Sequence, residues 1–164
     1  MRFLGLVIGL CFALCGTAQA ARGARSLSAG IAAYHRQAYV LAASIFQPLA
    51  EKGYAKAETY LGFMYAHGWG VPQNYEIAAH WYDEAARRGE ALAQYMLGLS
   101  YDKGQGVPQD YVIAYAWLSL AVAHASPKDR EYWMRIRDAV MSKLSLSELT
   151  YAQHLATDWD LARK

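Results

Sequence analysis

The sequence predicts an all-α fold, an α-solenoid of antiparallel helix hairpins with a C-terminal helical cap. The first observation is an internal repeat: residues 55–90 align without a gap with residues 91–126, and fifteen of the 36 positions are identical. The second is that apolar residues in each unit recur at i, i+3, i+4 and i+7, the spacing of one helix face. Stacked units of this kind bury a continuous core that one unit cannot bury alone.

The array is predicted to begin near residue 28 with an incomplete repeat, which serves as an N-terminal cap over residues 28–54. Tyr39, Ala42 and Gly53 in this segment are identical to the residues 36 positions later. The shared residues belong to the second half of the repeat unit. We therefore expect at least one helix here that packs on the first complete repeat.

Repeat 1, residues 55–90, is predicted to contain one helix over residues 55–67 and a second over 74–88. Gly68 is placed to adopt the left-handed conformation that closes the first helix, and Asn74 is placed to cap the second with its side chain. The corresponding residues of repeat 2, residues 91–126, are Gly104 and Asp110. Each repeat is therefore expected to be an antiparallel hairpin.

Other shared positions predict how the helices pack. Gly62 and Gly98 lie in mid-helix, where glycine costs about 1 kcal/mol relative to alanine, so their repetition predicts a close approach between helices. Four aromatic residues keep the same register in both repeats and are expected in the core: Tyr75, Trp81, Tyr111 and Trp117.

The remaining residues, 127–164, are predicted to form a helical cap. Ser126 followed by Pro127 has the form of an N-cap and a first helical residue. Ser145 with Glu148 three residues later has the form of a capping box and predicts a final helix. Such a cap is expected because the last repeat would otherwise expose an apolar side.

These residues carry a family resemblance. The spacing of Leu-Gly, Gly-x-Gly-Val-Pro-Gln and Ala-x-x-Trp, read from Ala57 to Ala85 and again from Ala93 to Ala121, closely resembles the Sel1-like repeat family, a relative of the tetratricopeptide repeats. The resemblance implies a solenoid of helix hairpins and a non-enzymatic adaptor that binds a protein partner. The segments before and after the repeats also resemble those of small exported bacterial members of the family.

The first twenty residues have the pattern of a secretory signal peptide. Arg2 supplies a positive charge, Phe3 to Cys15 is an uninterrupted apolar stretch, and Ala18-Gln19-Ala20 is a small-x-small cleavage signal. We expect cleavage after Ala20 and a periplasmic or secreted protein. The apolar stretch is shorter than the roughly 20 residues that a transmembrane helix needs, so no transmembrane segment is expected in the mature chain.

Composition limits the partners and cofactors. Sixteen basic residues against fourteen acidic ones give a net charge of +2, and the basic residues are scattered, so nucleic acid is not an expected partner. The only cysteines, Cys11 and Cys15, lie inside the predicted signal peptide, and no common metal motif is present. No cofactor and no metal are therefore predicted, and the expected partner is a protein.

One short segment matches part of an enzyme motif. Ser100 and Lys103 fit the Ser-x-x-Lys of penicillin-recognising enzymes, but neither Ser-Asp-Asn nor Lys-Thr-Gly accompanies them. Met64 and His67 hold the same positions in repeat 1, so the match is interpreted as part of the repeat, and no catalytic residue is predicted. The alternative function is a weak β-lactam-directed hydrolase, because cysteine-rich relatives of the family are associated with that activity.

The candidate binding residues lie on the first helix of each repeat, opposite the predicted core stripe. They differ between the repeats while the scaffold is shared, so they form a candidate protein-binding groove: Thr59, Phe63 and Ala66 in repeat 1, and Tyr95, Leu99 and Asp102 in repeat 2. The alternative is that Phe63 and Leu99 pack against the neighbouring repeat.

Overall fold

The computed structural model describes residues 22–162, which form eight α-helices and no β-strand. Helix α1 covers residues 22–35 of the described chain. The others are α2 Tyr39–Ala50, α3 Ala55–His67, α4 Tyr75–Arg87, α5 Ala91–Lys103, α6 Tyr111–His124, α7 Pro127–Met141 and α8 Leu146–Leu161. The predicted all-α solenoid is confirmed. The predicted signal peptide, residues 1–20, lies outside the described residues.

The helices pack in chain order, each against the next from α2 to α6. Leu27, Ile31 and Tyr34 of α1 join the core around Phe46, so α1 and α2 form an N-terminal hairpin. Repeat 1 is the hairpin of α3 and α4, and repeat 2 is the hairpin of α5 and α6. Helices α7 and α8 both pack against α6 and cover the C-terminal side of the array.

The predicted helix ends of the two repeats are confirmed. Gly68 closes α3 with φ 70° and Gly104 closes α5 with φ 66°, a left-handed conformation that favours glycine. The side chains of Asn74 and Asp110 accept hydrogen bonds from the backbone N–H groups three residues later, at 3.0 and 2.9 Å. These caps fix where the second helix of each repeat begins.

The mid-helix glycines allow the two helices of each hairpin to approach closely, as predicted. A Cβ atom added to Gly62 would lie 2.5 Å from the ring of Tyr82, and one added to Gly98 would lie 2.7 Å from Leu118. The same contact recurs between α1 and α2, where a Cβ on Gly30 would lie 2.6 Å from Phe46. The N-terminal segment is therefore a hairpin of the same kind, and its first helix already includes residues 22–27, before the predicted start of the array.

The second glycine of each Gly-x-Gly turn joins one hairpin to the previous one. A Cβ on Gly70 would lie 2.5 to 2.7 Å from backbone atoms of Tyr39 and Val40, at the start of α2. A Cβ on Gly106 would overlap the carbonyl group of Tyr75 at the start of α4. Both glycines have positive φ angles, 72° and 76°. The two glycines of each turn therefore have different roles. The first closes the helix, as predicted, and the second allows contact with the previous hairpin, which was not predicted.

The cap has the predicted helix starts and contacts the repeats through tryptophan. Pro127 is the first residue of α7, and Ser145 with Glu148 forms the predicted capping box at the start of α8. Trp133 of α7 stacks on Tyr95 with ring centroids 4.9 Å apart. Trp159 of α8 lies against Trp117 at 4.6 Å.

The four aromatic residues expected in the core differ in burial. Trp117 is 6% exposed, whereas Trp81 and Tyr111 are half-buried. Tyr75 is 41% exposed, so the expectation that it is a core residue is wrong. Tyr75 is the first residue of α4, and its ring lines a cleft between the repeats instead of the core.

Candidate functional site

Two of the six predicted groove residues are interior. Thr59 is 3% exposed, and its hydroxyl donates a hydrogen bond to the carbonyl oxygen of Ala55 at 2.9 Å. Tyr95 is 7% exposed because Trp133 of the cap covers its ring in a nearly parallel stack. A helix in a stack of hairpins is covered from two sides, so the face opposite the first core stripe is also partly buried. These two side chains are therefore not part of the exposed surface.

The other four predicted residues are half-buried. Phe63 packs edge-on against Tyr82 at 5.7 Å, a contact within repeat 1 and not the contact with the neighbouring repeat that the alternative expected. Asp102 forms an ion pair with Lys143 of the cap segment at 2.5 Å. Ala66 and Leu99 face a common open space. The structure thus brings together only part of the predicted groove.

That space, which we call the inter-repeat cleft, has a volume of about 370 Å³. It lies where α3, the start of α4 and α5 meet. Its lining residues come from both repeats and from their turns: Ala66, His67, Trp69, Gln73, Tyr75, Ala78, Tyr82, Met96, Leu99, Ser100, Lys103 and Gln105. The volume is within the range of pockets that bind small molecules or single large side chains.

The cleft combines apolar walls with an excess of positive charge. No carboxylate is among the residues that line it. Lys103 is exposed at its edge and forms no ion pair with any residue from 22 to 162. The hydroxyl of Tyr82 is buried and has no hydrogen-bond partner within the described chain, and burial raises the pKa of this phenol. A buried hydroxyl without a partner is costly in free energy.

A row of aromatic rings leads from the N-terminal hairpin to the cleft. Tyr39 and Trp69 stack with centroids 5.1 Å apart and planes 14° apart. Trp69 stacks in turn on His67 at 4.4 Å, and the His67 Nδ1–H donates to the carbonyl oxygen of Phe63 at 2.8 Å. Trp69 and His67 therefore form one wall of the cleft, held by the N-terminal hairpin.

Several cleft residues were missed by the sequence analysis: Trp69, Tyr75, Met96, Lys103 and Gln105. The candidate groove residues came from the helix face opposite the core stripe, which excludes the turns. The same comparison at the turn pairs Trp69 with Gln105, a large aromatic residue with a smaller polar one. This loss of volume is the signal that could have located the cleft.

Ser100 and Lys103, the two residues of the Ser-x-x-Lys match, both line the inter-repeat cleft, and Ser100 is 7% exposed. The Ser100 hydroxyl donates to the carbonyl oxygen of Met96 at 3.0 Å, an ordinary bond for a serine within a helix. Across residues 22–162, no group of three or more His, Cys, Asp or Glu side chains is placed to hold a metal ion. No helix in this part of the chain has the length and apolar character needed to cross a bilayer.

A second cleft, of about 460 Å³, lies between α4 of repeat 1, the helices of repeat 2 and α8. Trp117 and Trp159 form its apolar wall. Its charged side chains, Asp83 and Arg87, are paired with each other at 2.6 Å. The charges that line this cleft are therefore paired with each other.

Comparison with known proteins identifies the repeat. A family model described as Sel1 repeat matches residues 55–90 and again residues 91–126. The chain carries two Sel1 repeats. Sel1 repeats generally mediate protein–protein interaction, and their fold is typically a non-enzymatic scaffold.

Solved structures of Sel1 repeat proteins are similar to the chain. One is a protective antigen of uropathogenic Escherichia coli strains with an SLR fold, which is 28% identical over 84% of this chain with a TM-score of 0.76. Another is a Sel1 repeat protein from Oxalobacter formigenes, 28% identical over 70% of this chain with a TM-score of 0.59. The chain spans 29% and 54% of the lengths of these proteins. No curated protein sequence matches the chain.

The two Sel1 repeats share one buried polar contact in two chemical forms. In repeat 1 the carboxylate of Glu58, 1% exposed, lies 3.3 Å from the guanidinium of Arg88, which also contacts Glu84 at 2.8 Å. In repeat 2 the residues at the positions of Glu58 and Arg88 are Gln94 and His124, whose side chains are 3.2 Å apart. Burial raises the pKa of Glu58 although Arg88 opposes this, whereas the hydrogen bond from Arg88 lowers the pKa of Glu84.

We expect Glu58→Gln to be as stable as wild type at neutral pH, within about 1 kcal/mol, or more stable. Gln94 occupies the same position in repeat 2, and Arg88 keeps its contact with Glu84. Because the pKa of Glu58 is higher in the folded state, wild type loses stability as pH rises through the titration of this carboxyl, and the variant does not. Chemical denaturation between about pH 4 and pH 8 checks this.

The matched control is Glu84→Gln, for which the expected change in stability with pH has the opposite sign. The pKa of Glu84 is lowered in the folded state, so its carboxylate stabilises the protein above its unfolded pKa and this stabilisation is lost as pH falls. A Glu58→Gln protein that is less stable than wild type at every pH would contradict the prediction.

Proposed function

We propose that this Sel1 repeat protein is an exported adaptor without catalytic activity, and that it binds a protein partner at the inter-repeat cleft. The observation that carries the proposal is the cleft itself. Nine of its twelve lining residues differ from their counterparts in the other repeat, the exceptions being Gln73, Tyr75 and Ala78, and it is open to solvent. A shared scaffold with divergent residues at one place is the arrangement expected of a binding surface on a repeat protein.

The chemistry of the cleft supports a protein partner. Aromatic residues, leucine and methionine line it, and exposed lysine and glutamine side chains lie at its edge. Interfaces are enriched in aromatic residues and methionine at their centres and are polar at their rims. Export rests on the signal-peptide pattern of residues 1–20.

The experiment uses the absence of cysteine after Cys15 in the sequence. Gln105→Cys places one thiol at the cleft, and Glu131→Cys places one on an exposed position of α7. Each variant is made in the full chain with Cys11 and Cys15 changed to alanine, so that the new thiol is the only one. It is expressed in a bacterial host, labelled with a photo-crosslinker and exposed to the envelope fraction of that host. We expect a crosslinked protein of defined mass with the cleft variant and not with the α7 variant.

The same preparation checks export and catalysis. Protein from the periplasmic or extracellular fraction is expected to begin at Ala21. A full-length chain that remains in the cytoplasm would contradict export, and equal crosslinking from both thiols would contradict binding at the cleft. β-Lactam hydrolysis by wild type that disappears in Ser100→Ala would replace the adaptor proposal with the hydrolase alternative.

A further inference from the structure

Three tyrosines occupy equivalent positions in the three hairpins and have different neighbours. Tyr39, Tyr75 and Tyr111 are the first residues of α2, α4 and α6 and are spaced by 36 residues. Trp69 stacks on Tyr39 at 5.1 Å, and the ammonium of Lys143 lies over the ring of Tyr111 at 4.5 Å. Tyr75 has no stacking ring and no cation over it within the described residues, and it is 41% exposed. The middle tyrosine is the one whose face is open.

The space beside Tyr75 is lined by smaller side chains than the equivalent space beside Tyr39. Beside Tyr39, the rings of Tyr34, Tyr60 and Trp69 pack together, with Tyr60 stacked on Phe46 at 5.1 Å. At the next level of the stack, the residues in the places of Tyr34, Tyr60 and Trp69 are Ala66, Met96 and Gln105. Three aromatic rings are thus replaced by smaller or unbranched side chains, and the inter-repeat cleft lies at this level.

We propose that the inter-repeat cleft receives an aromatic side chain of the partner, a tryptophan or tyrosine flanked by acidic residues. The proposal rests on the proposed protein-binding function and specifies what is bound. The incoming ring stacks on Tyr75 as Trp69 stacks on Tyr39, so the chain itself shows how this position is filled. Aromatic pairs with centroids about 4.5–7 Å apart contribute beyond the area that they bury.

The acidic residues beside the partner's aromatic side chain are inferred from the positive charge at the cleft. Lys103 stands at the edge of the cleft without an ion-pair partner in residues 22–162, and no lining residue is a carboxylate. An acidic peptide with an aromatic residue complements both the charge at the edge of the cleft and the open face of Tyr75.

The test uses the full chain and a synthetic peptide, end-blocked, with one tryptophan between glutamates. Binding is measured by calorimetry. We expect replacement of the peptide tryptophan by alanine to weaken binding at least tenfold, and lysines in place of the glutamates to do the same. Lys103→Gln should weaken binding of the acidic peptide and reduce its salt dependence.

The decisive variant is Gln105→Trp, which gives repeat 2 the residue that repeat 1 has at Trp69. Its indole should stack on Tyr75 and occupy the cleft, which weakens peptide binding at least tenfold while the helical content is unchanged. The matched control is Gln153→Trp on the exposed side of α8, which should bind as wild type does. Tyr75→Ala, at an exposed position, provides a second test if Gln105→Trp fails to fold.

Two outcomes would overturn the inference: no binding of the peptide to wild type at millimolar concentration, or unchanged binding by both Gln105→Trp and Tyr75→Ala. If the crosslinked partner is captured normally by Gln105→Trp, the inference fails while the adaptor function stands. If the cleft thiol crosslinks no partner but the peptide binds as expected, the adaptor proposal fails by itself and the aromatic site remains.

Discussion

Replacing Tyr82 by alanine is expected to lower the free energy of unfolding by about 3–5 kcal/mol, the usual cost of removing a buried aromatic side chain. Tyr82 is 2% exposed and packs against Gly62 and the adjacent Phe63 of α3. Its ring fills the space that the glycine leaves open. Because domains of this size are stable by about 5–15 kcal/mol, the loss is a large part of the total. Urea denaturation followed by circular dichroism measures it.

The control is Tyr82→Phe, which keeps the ring and removes the hydroxyl. That hydroxyl has no hydrogen-bond partner in the described part of the chain, so its removal deletes a buried polar group without breaking a bond. Phe46 already holds the same position in the N-terminal hairpin. We expect Tyr82→Phe to be at least as stable as wild type. A large loss in this variant would show that the hydroxyl is bonded, and a small loss in Tyr82→Ala would show that the ring is not a core element.

The helices and their ends could be predicted because their causes are local. Gly68 ends α3 and Asn74 begins α4 through bonds that reach only a few residues along the chain. Comparison between repeats strengthens these predictions because equivalent residues for ending and capping a helix recur at Gly104 and Asp110. Such features depend on residue type and spacing, both of which the sequence contains.

The exposure of the candidate groove residues was predicted less well because it depends on contacts between distant segments. The burial of Tyr95 comes from Trp133 in the cap, which lies outside the repeat and has no counterpart in repeat 1. The prediction treated each first helix as having one buried face, whereas packing on both neighbours buries two.

A residue that is identical in both repeats is not always buried, and a buried residue is not always identical. Trp81 is identical in both repeats yet only half-buried, whereas Tyr82 aligns with Leu118 and with Phe46 and is nearly inaccessible. A position in the shared core can change its residue when its neighbours change with it. The cleft arises in the same way, because the positions equivalent to the packed aromatic cluster beside Tyr39 are occupied by residues without aromatic rings.

The second large effect is expected from Gly106→Ala, which should cost about 2–5 kcal/mol by adding left-handed strain and steric overlap. Gly106 has φ 76°, and its added Cβ would overlap the carbonyl group of Tyr75 in the previous repeat. Backbone cannot move aside as the end of a flexible side chain can, so repeat 2 would have to shift away from repeat 1. Thermal and chemical denaturation of the variant measure this cost.

Gly104→Ala is the matched control, two residues away in the same turn. Its φ of 66° imposes the same backbone strain, but its added Cβ would lie 3.3 Å from the Cβ of Gln109 within the same repeat. It should therefore cost only about 1–2 kcal/mol, the strain alone. The difference between the two variants isolates the contact between repeats. If both variants lose the same stability, the second glycine serves only the turn, and stacking of the hairpins must depend on their helices alone.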